Sequence, residues 1–171
     1  NRVKDIDPGI NSHSISDHTQ TNWNGMIGQL YLEARPKISI QNIQVFSDIQ
    51  QKKIVAKVRI ENSTKKRQKA AITLLATGAT TPESKNFNVD IAAGVDTLSL
   101  EYPMGNDVKL WSEFHPNVYQ LTATLNIPKK DMKDSFQTSF GMREIRANGT
   151  QLEINDKPLF LRGTLECAIF P

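Results

Sequence analysis

Hydrophobic residues in this chain recur with a period of two, a pattern that suits strands with one dry face and cannot make an amphipathic helix. Across residues 53–61, Ile54, Ala56, Val58 and Ile60 fall on one side, and Lys53, Lys57, Arg59 and Glu61 on the other. Phe87, Val89 and Ile91 alternate with Asn86, Asn88 and Asp90, and Leu98 and Leu100 alternate with Thr97, Ser99 and Glu101. Tyr119, Leu121, Ala123 and Leu125 alternate with Gln120, Thr122, Thr124 and Asn126. Ile72 with Leu74, and Phe136 with Thr138 and Phe140, mark two more strands. Ile38 and Ile40 change phase to Ile43 and Val45, which predicts a bulge at Gln41-Asn42 in the first strand.

Turn-forming residues separate these runs: Asn62-Ser63-Thr64, Gly78 with Pro82, Gly94, Pro103 with Gly105, Pro116 and Pro128. About seven strands are predicted between Lys37 and Phe140, with no helical stripe between them. The fold class is therefore all-β: an immunoglobulin-like antiparallel β-sandwich, in the strand number of the constant type, with further β segments at its flanks. Two aromatic residues have structural roles in this reading. Tyr119 follows Pro116 at the start of the sixth strand, where sandwich domains often bond a tyrosine hydroxyl back to the preceding corner. Trp111 is expected as a core plug between the sheets rather than a ligand platform.

Composition narrows the functional classes. The chain has 171 residues, 38% of them hydrophobic and 23% charged, as in globular proteins. No run approaches the roughly 20 apolar residues of a membrane span, and no charged-then-apolar start reads as a signal peptide. The net charge is only +3, and the basic run Lys65-Lys66-Arg67 with Lys69 lacks interleaved aromatics. That run reads as a solvated turn, and no nucleic-acid partner is expected. Cys167 is the single cysteine, so neither an internal disulfide nor a thiolate zinc cage can form. His13, His18 and His115 have no metal-ligand spacing and are not placed to activate Cys167, so neither metal nor cofactor is implied. The sequons Asn62-Ser63-Thr64 and Asn148-Gly149-Thr150 read as turns.

The ends differ from the middle. Residues 9–24 are small and polar, Met26-Ile27 and Leu30-Tyr31-Leu32 are apolar, and Arg35-Pro36 reads as a linker. After the sandwich, Ala147-Asn148-Gly149-Thr150 predicts a hairpin turn, and Leu152 to Ile154 leads through Asn155-Asp156-Lys157-Pro158 into Leu159-Phe160-Leu161. The polar start and the apolar close at Ala168-Ile169-Phe170 read as internal points of a longer protein.

Three segments, in order, resemble the family 2 glycoside hydrolases, which include β-galactosidases, β-glucuronidases and β-mannosidases. Ser16-Asp17-His18-Thr19-Gln20-Thr21-Asn22-Trp23-Asn24-Gly25-Met26-Ile27-Gly28 is similar to the end of that family's sugar-binding jelly roll. Leu110-Trp111-Ser112-Glu113-Phe114-His115-Pro116-Asn117-Val118-Tyr119-Gln120-Leu121 is similar to its Leu-Trp-Ser-x-x-x-Pro-x-x-Tyr-x-Leu signature. Phe140-Gly141-Met142-Arg143, with Leu159-Phe160-Leu161-Arg162-Gly163 further on, is similar to its Phe-Gly-x-Arg segment and the Leu-Arg-Gly step into the catalytic barrel. The chain also resembles family 2 proteins of gut Bacteroidetes, which implies degradation of plant or host glycans. One departure is clear: where β-galactosidases carry a histidine-rich stretch after Arg-Gly, this chain reads Thr164-Leu165-Glu166-Cys167.

The resemblance implies residues 1–35 as the end of the jelly roll, 36–145 as the sandwich, and 146–171 as a hairpin and first barrel strand. It implies a parent enzyme that cleaves O-glycosidic bonds with retention and works in the periplasm or outside the cell. The family's two catalytic glutamates lie beyond the position matching Pro171, so no catalytic residue is expected in this chain. Carbohydrate would be a partner of the whole enzyme, with the jelly roll and the TIM barrel as intramolecular partners. Asp17, Asn22 and Trp23 are candidate sugar contacts at an outer subsite; the competing reading has Asp17 and Asn22 fixing the loop backbone and Trp23 packed within the jelly roll. Glu166, just past the first barrel strand, would accept bonds from sugar hydroxyls or form a structural ion pair. Glu113 and Glu144 are the acidic candidates for a catalytic pair within this chain, and neither has an evident supporting His or Arg. Two functions compete: a non-catalytic sandwich that positions the sugar-binding domain against the barrel, and a free-standing carbohydrate-binding or adhesive module.

Overall fold

A computed structural model describes residues 26, 28–78, 83–128 and 131–165 of the chain. Residues Ala34–Phe160 form one compact unit, which takes in both the sandwich and the hairpin region after it. Among the described residues its regular elements are ten strands: β1 (Ile38–Asp48), β2 (Lys53–Asn62), β3 (Gln68–Thr77), β4 (Lys85–Ile91), β5 (Gly94–Pro103), β6 (Tyr119–Ile127), β7 (Met132–Phe140), β8 (Ile145–Asn148), β9 (Gln151–Ile154) and β10 (Lys157–Pro158). The first seven build an all-β sandwich in the stretch where the alternation predicts it.

One sheet has the order β1-β2-β5 and the other β4-β3-β6-β7, with every neighbouring pair antiparallel. The seven strands expected from the alternation are present, and their order differs from that of the constant-type domain, in which the fourth strand lies beside the fifth. Here β4 pairs along β3, from Gln68 opposite Ile91 to Leu74 opposite Lys85. Asn62 holds the short crossing from β4 to β5. It is buried, and its Nδ2 donates to the carbonyls of Lys66 (3.0 Å), Ala92 (2.9 Å) and Ile91 (3.4 Å), while Ala92 N donates to Asp96 Oδ2. The expected bulge is present: the β1–β2 register shifts between Ile40 and Asn42.

The inward residues are those of the alternating sets. Ile54, Ala56, Val58 and Ile60 of β2 meet Ile72 and Leu74 of β3 and Leu121, Ala123 and Leu125 of β6 in one buried core. Each large aliphatic side chain taken out of water there contributes about 1.5–3 kcal/mol. Phe87, Val89, Leu98 and Phe136 pack at the margin of this core, half-buried.

Polar bonds stitch the two sheets along both edges. At one edge, Ile40 N of β1 donates to Asp134 Oδ2 of β7 (2.7 Å), and Ser47 Oγ donates to Gly141 O (3.2 Å). At the other, the Tyr102 hydroxyl of β5 accepts from Ala76 N of β3 (3.3 Å) and donates to Glu83 O. Asp134 thereby covers an edge amide that would otherwise invite a foreign strand.

The strand directions define two ends. The chain enters β1 at the end that also holds the β2–β3, β4–β5 and β6–β7 turns, and it leaves β7 at the opposite end. At that exit end, β8, β9 and β10 form a small sheet of order β10-β9-β8. Its first turn places Gly149 at φ 60° at the leading position, as a tight two-residue turn requires. Its second turn places Asn155 and Asp156 at φ 51° and 63°, the geometry of a type I′ turn.

Candidate functional site

The segments that carry the family-like motifs converge at the exit end. Trp111 N donates to Met142 O (2.9 Å), and Leu110 bridges Met142 in a parallel pair. Trp111 lies against Gly141, where an added Cβ would stand 2.8 Å from the tryptophan Cβ and Cγ. Only glycine admits this approach without displacement. On the tryptophan ring, the Arg143 guanidinium sits 4.6 Å from the centroid, in cation–π range. Trp111 is therefore half-buried at the end of the sandwich, outside the core cluster, and the expectation of a plug between the sheets is corrected. The reason is its place in the β5–β6 connection: its backbone is bonded to Met142 O and its ring lies between Gly141 and Arg143, beyond the end of the two sheets.

Tyr119 is buried at the start of β6 and stacks on Phe140 with centroids 5.6 Å apart. Its hydroxyl accepts from Lys109 N (2.7 Å) and donates to Lys109 O (3.2 Å), which fixes the corner before the strand. Gly78, at φ 96°, lies against this ring edge: a Cβ there would stand 3.4 Å from Tyr119 Cδ1 and 3.3 Å from Val118 O. Between Trp111 and Tyr119 the chain makes a closed turn. Ser112 N donates to His115 O (3.0 Å), and His115 N donates to Ser112 O (3.2 Å) and Ser112 Oγ (3.1 Å). Asn117 Nδ2 donates to Leu110 O (2.9 Å), closing the loop at its base.

Asn155 joins this turn to the hairpin. Its Nδ2 donates to Trp111 O (2.8 Å), its Oδ1 accepts from Glu144 N (3.0 Å), and its backbone N donates to Glu144 O (2.9 Å). Asp156 beside it accepts from Gln50 Nε2 of the β1–β2 turn (2.9 Å) and pairs with Arg146 (2.8 Å). Arg146 also pairs with Glu153 across β8 and β9 (2.9 Å). Bonding to Asn148 and then to Arg146 holds the Glu153 carboxyl below the usual glutamate range, and Arg146 is raised by Glu153 and by nearby Asp156. Asn155 is the residue that sequence reasoning missed. Its only signal was Asn155-Asp156 as a turn dipeptide, which reads as a connector and says nothing of a side chain reaching Trp111.

A groove of about 390 Å³ runs where the ends of β1 and β7 meet the start of β8. Phe46, Ser47, Ser139, Arg143 and Glu144 contribute to its lining, in which Glu144 is the single carboxylate. Retaining glycoside cleavage needs two carboxyl groups about 5–5.5 Å apart, and among the described residues the groove lining holds one. Glu113 is exposed in the Trp111–Tyr119 turn, away from the groove lining. Asp17, Asn22, Trp23 and Glu166, the candidate sugar contacts, lie outside the described residues.

The same chain stretch is similar to known proteins. It is 27% identical to a putative β-glucuronidase of Formosa agariphila over 147 residues, covering 83% of this chain and 17% of that protein. It is 30% identical to a β-galactosidase of Thermoanaerobacterium thermosulfurigenes over 79 residues, or 46% of this chain and 11% of that one. Among solved structures, a β-glucuronidase of Parabacteroides merdae superimposes with a TM-score of 0.54 at 23% identity, over 75% of this chain and 16% of that chain. A β-galacturonidase of Eisenbergiella tayi does so with a TM-score of 0.58 at 17% identity, over 72% and 21%. At such identities the structures speak for the fold alone, and the chain spans less than a quarter of the length of any of these relatives. The family model for glycosyl hydrolases family 2 matches residues 38–143, the sandwich together with the Trp111–Gly141–Arg143 contact, and the chain thus belongs to that family.

Proposed function

We propose that this chain is a non-catalytic positioning domain of a glycoside hydrolase. The parent enzyme hydrolyses O-glycosidic bonds by the retaining route, on β-linked sugars or uronic acids of the kind named for its relatives, in the periplasm or outside the cell. The sandwich holds the sugar-binding jelly roll and the catalytic barrel in fixed register, so that their loops meet on one substrate. One observation carries the reading: Asn155 bonds the outgoing hairpin to Trp111, so the chain's direction of departure is set by side chains and not left to a flexible linker. The groove beside this latch, with its single carboxylate, offers a place for contact rather than for bond cleavage.

The test uses the 171-residue chain itself. Aryl β-glycosides should turn over no faster than in buffer, and calorimetric titration with oligosaccharides should show no binding heat. Hydrolysis that survives removal of contaminating hydrolases would overturn the reading. Tight oligosaccharide binding would replace it with a sugar-binding module.

A further inference from the structure

The turn between Trp111 and Tyr119 is stiff, yet it presents carbon to water. Phe114 is 76% exposed, Val118 55% and Leu110 39%, all within nine residues of chain. Single exposed apolar residues are ordinary on protein surfaces. These three share one turn closed by its own hydrogen bonds, in which the side chains of Ser112 and Asn117 are already engaged. Ser112 Oγ accepts from His115 N, and Asn117 Nδ2 is given to Leu110 O. What remains outward is an aromatic ring and two aliphatic side chains, flanked by exposed Glu113 and His115. A sugar needs convergent donors and acceptors. A protein surface needs an apolar anchor with a polar rim, which this turn supplies.

The turn's position names the occupant. Its base is bonded to the hairpin through Asn155 Nδ2 and to the end of β7 through Met142 O. The hairpin carries the chain onward, so whatever follows the sandwich begins beside this turn. The relatives are much longer proteins, since the match covers only 17% of the one from Formosa agariphila. We propose that the 110–118 turn, with Phe114 as its anchor, docks against the domain that follows the sandwich in the intact enzyme. This rests on the positioning role proposed above and adds the surface through which position is enforced.

Hydroxyl-radical footprinting of the 171-residue chain and of the intact enzyme tests it. Phe114 should oxidise readily in the short chain at every concentration and be protected in the intact enzyme, while Phe136, half-buried midway along β7, serves as an internal reference. Equal labelling of Phe114 in both would overturn the docking. Protection that appears in the short chain as its concentration rises would overturn it in favour of self-association. As a second arm, Phe114→Ser should leave the Tm of the short chain unchanged and lower that of the intact enzyme by roughly 1–2 °C; an equal Tm change in both would likewise overturn it. Sugar binding or hydrolysis by the short chain would defeat the positioning role whatever Phe114 shows, so the two failures are distinguishable.

Discussion

At the scale of single residues, this sandwich depends on a few side chains that the alternation could not reveal. Tyr119 was legible because a tyrosine at the start of an alternating strand has a recurrent use, and its hydroxyl does reach back to Lys109. Trp111 was placed wrongly because residue type alone suggests burial in the core, whereas its partners Met142, Gly141 and Arg143 hold it at the end of the sandwich. Asn62, readable as a glycosylation sequon, is buried with its Nδ2 committed to three carbonyls, so the folded chain leaves no free amide there. Gly141 gives the sharpest prediction at this scale. A methyl group there would stand 2.8 Å from Trp111 Cβ and Cγ, so the ring and the Arg143 stacked on it must move. Gly141→Ala should destabilise the chain by about 1–3 kcal/mol, as overfilled contacts do. Urea unfolding would check this, and an unchanged midpoint at constant m would show that the tryptophan yields freely.

At the scale of elements, seven strands were legible because one dry face per strand imposes a period of two. Sheet membership was not legible: alternation tells which side chains face inward but not which neighbour a strand bonds to, and β4 pairs with β3 through backbone groups common to every sequence. The β8–β9 pairing was foreshadowed by Asn148-Gly149, but its charges carry a pH dependence that the sequence alone does not give. Glu153 is held below its usual range in the folded hairpin by Asn148 and Arg146. Its folded form thus binds fewer protons than its unfolded form, and stability rises with pH through that window. The contribution is complete above the unfolded glutamate range and is lost as pH falls through the folded value. Amide exchange of Ile145–Asn148 and Gln151–Ile154 should therefore accelerate, relative to the β2–β5 ladder, as pH drops below the ordinary glutamate range, after correction for intrinsic rates. Glu153→Gln should flatten that dependence. An equally steep dependence in the variant would assign it to another group.

At the scale of the whole molecule, the contact between neighbouring domains is where sequence reading stopped. The motifs could be read one by one in the sequence, but not that Leu110, Trp111, Gly141 and Arg143 meet at the exit end. Nor could the sequence show that Asn155 ties these segments to the hairpin, since that bond spans 44 residues and depends on one side-chain rotamer. If the sandwich works by holding neighbours in register, Asn155 is a positioning residue that never meets the substrate. Asn155→Ala removes the donor to Trp111 O and the acceptor for Glu144 N together. In the intact enzyme this should lower kcat/KM by about 10- to 100-fold, since small misplacements of reacting groups cost that much. Asn155→Asp keeps an acceptor for Glu144 N but loses the donor to Trp111 O, so its kcat/KM should fall between the alanine variant and the parent. A merely structural role would instead lower Tm while kcat/KM, measured well below the new Tm, stayed at the parental value. That result would leave the latch as a stabiliser of the sandwich and remove its share in aligning the enzyme.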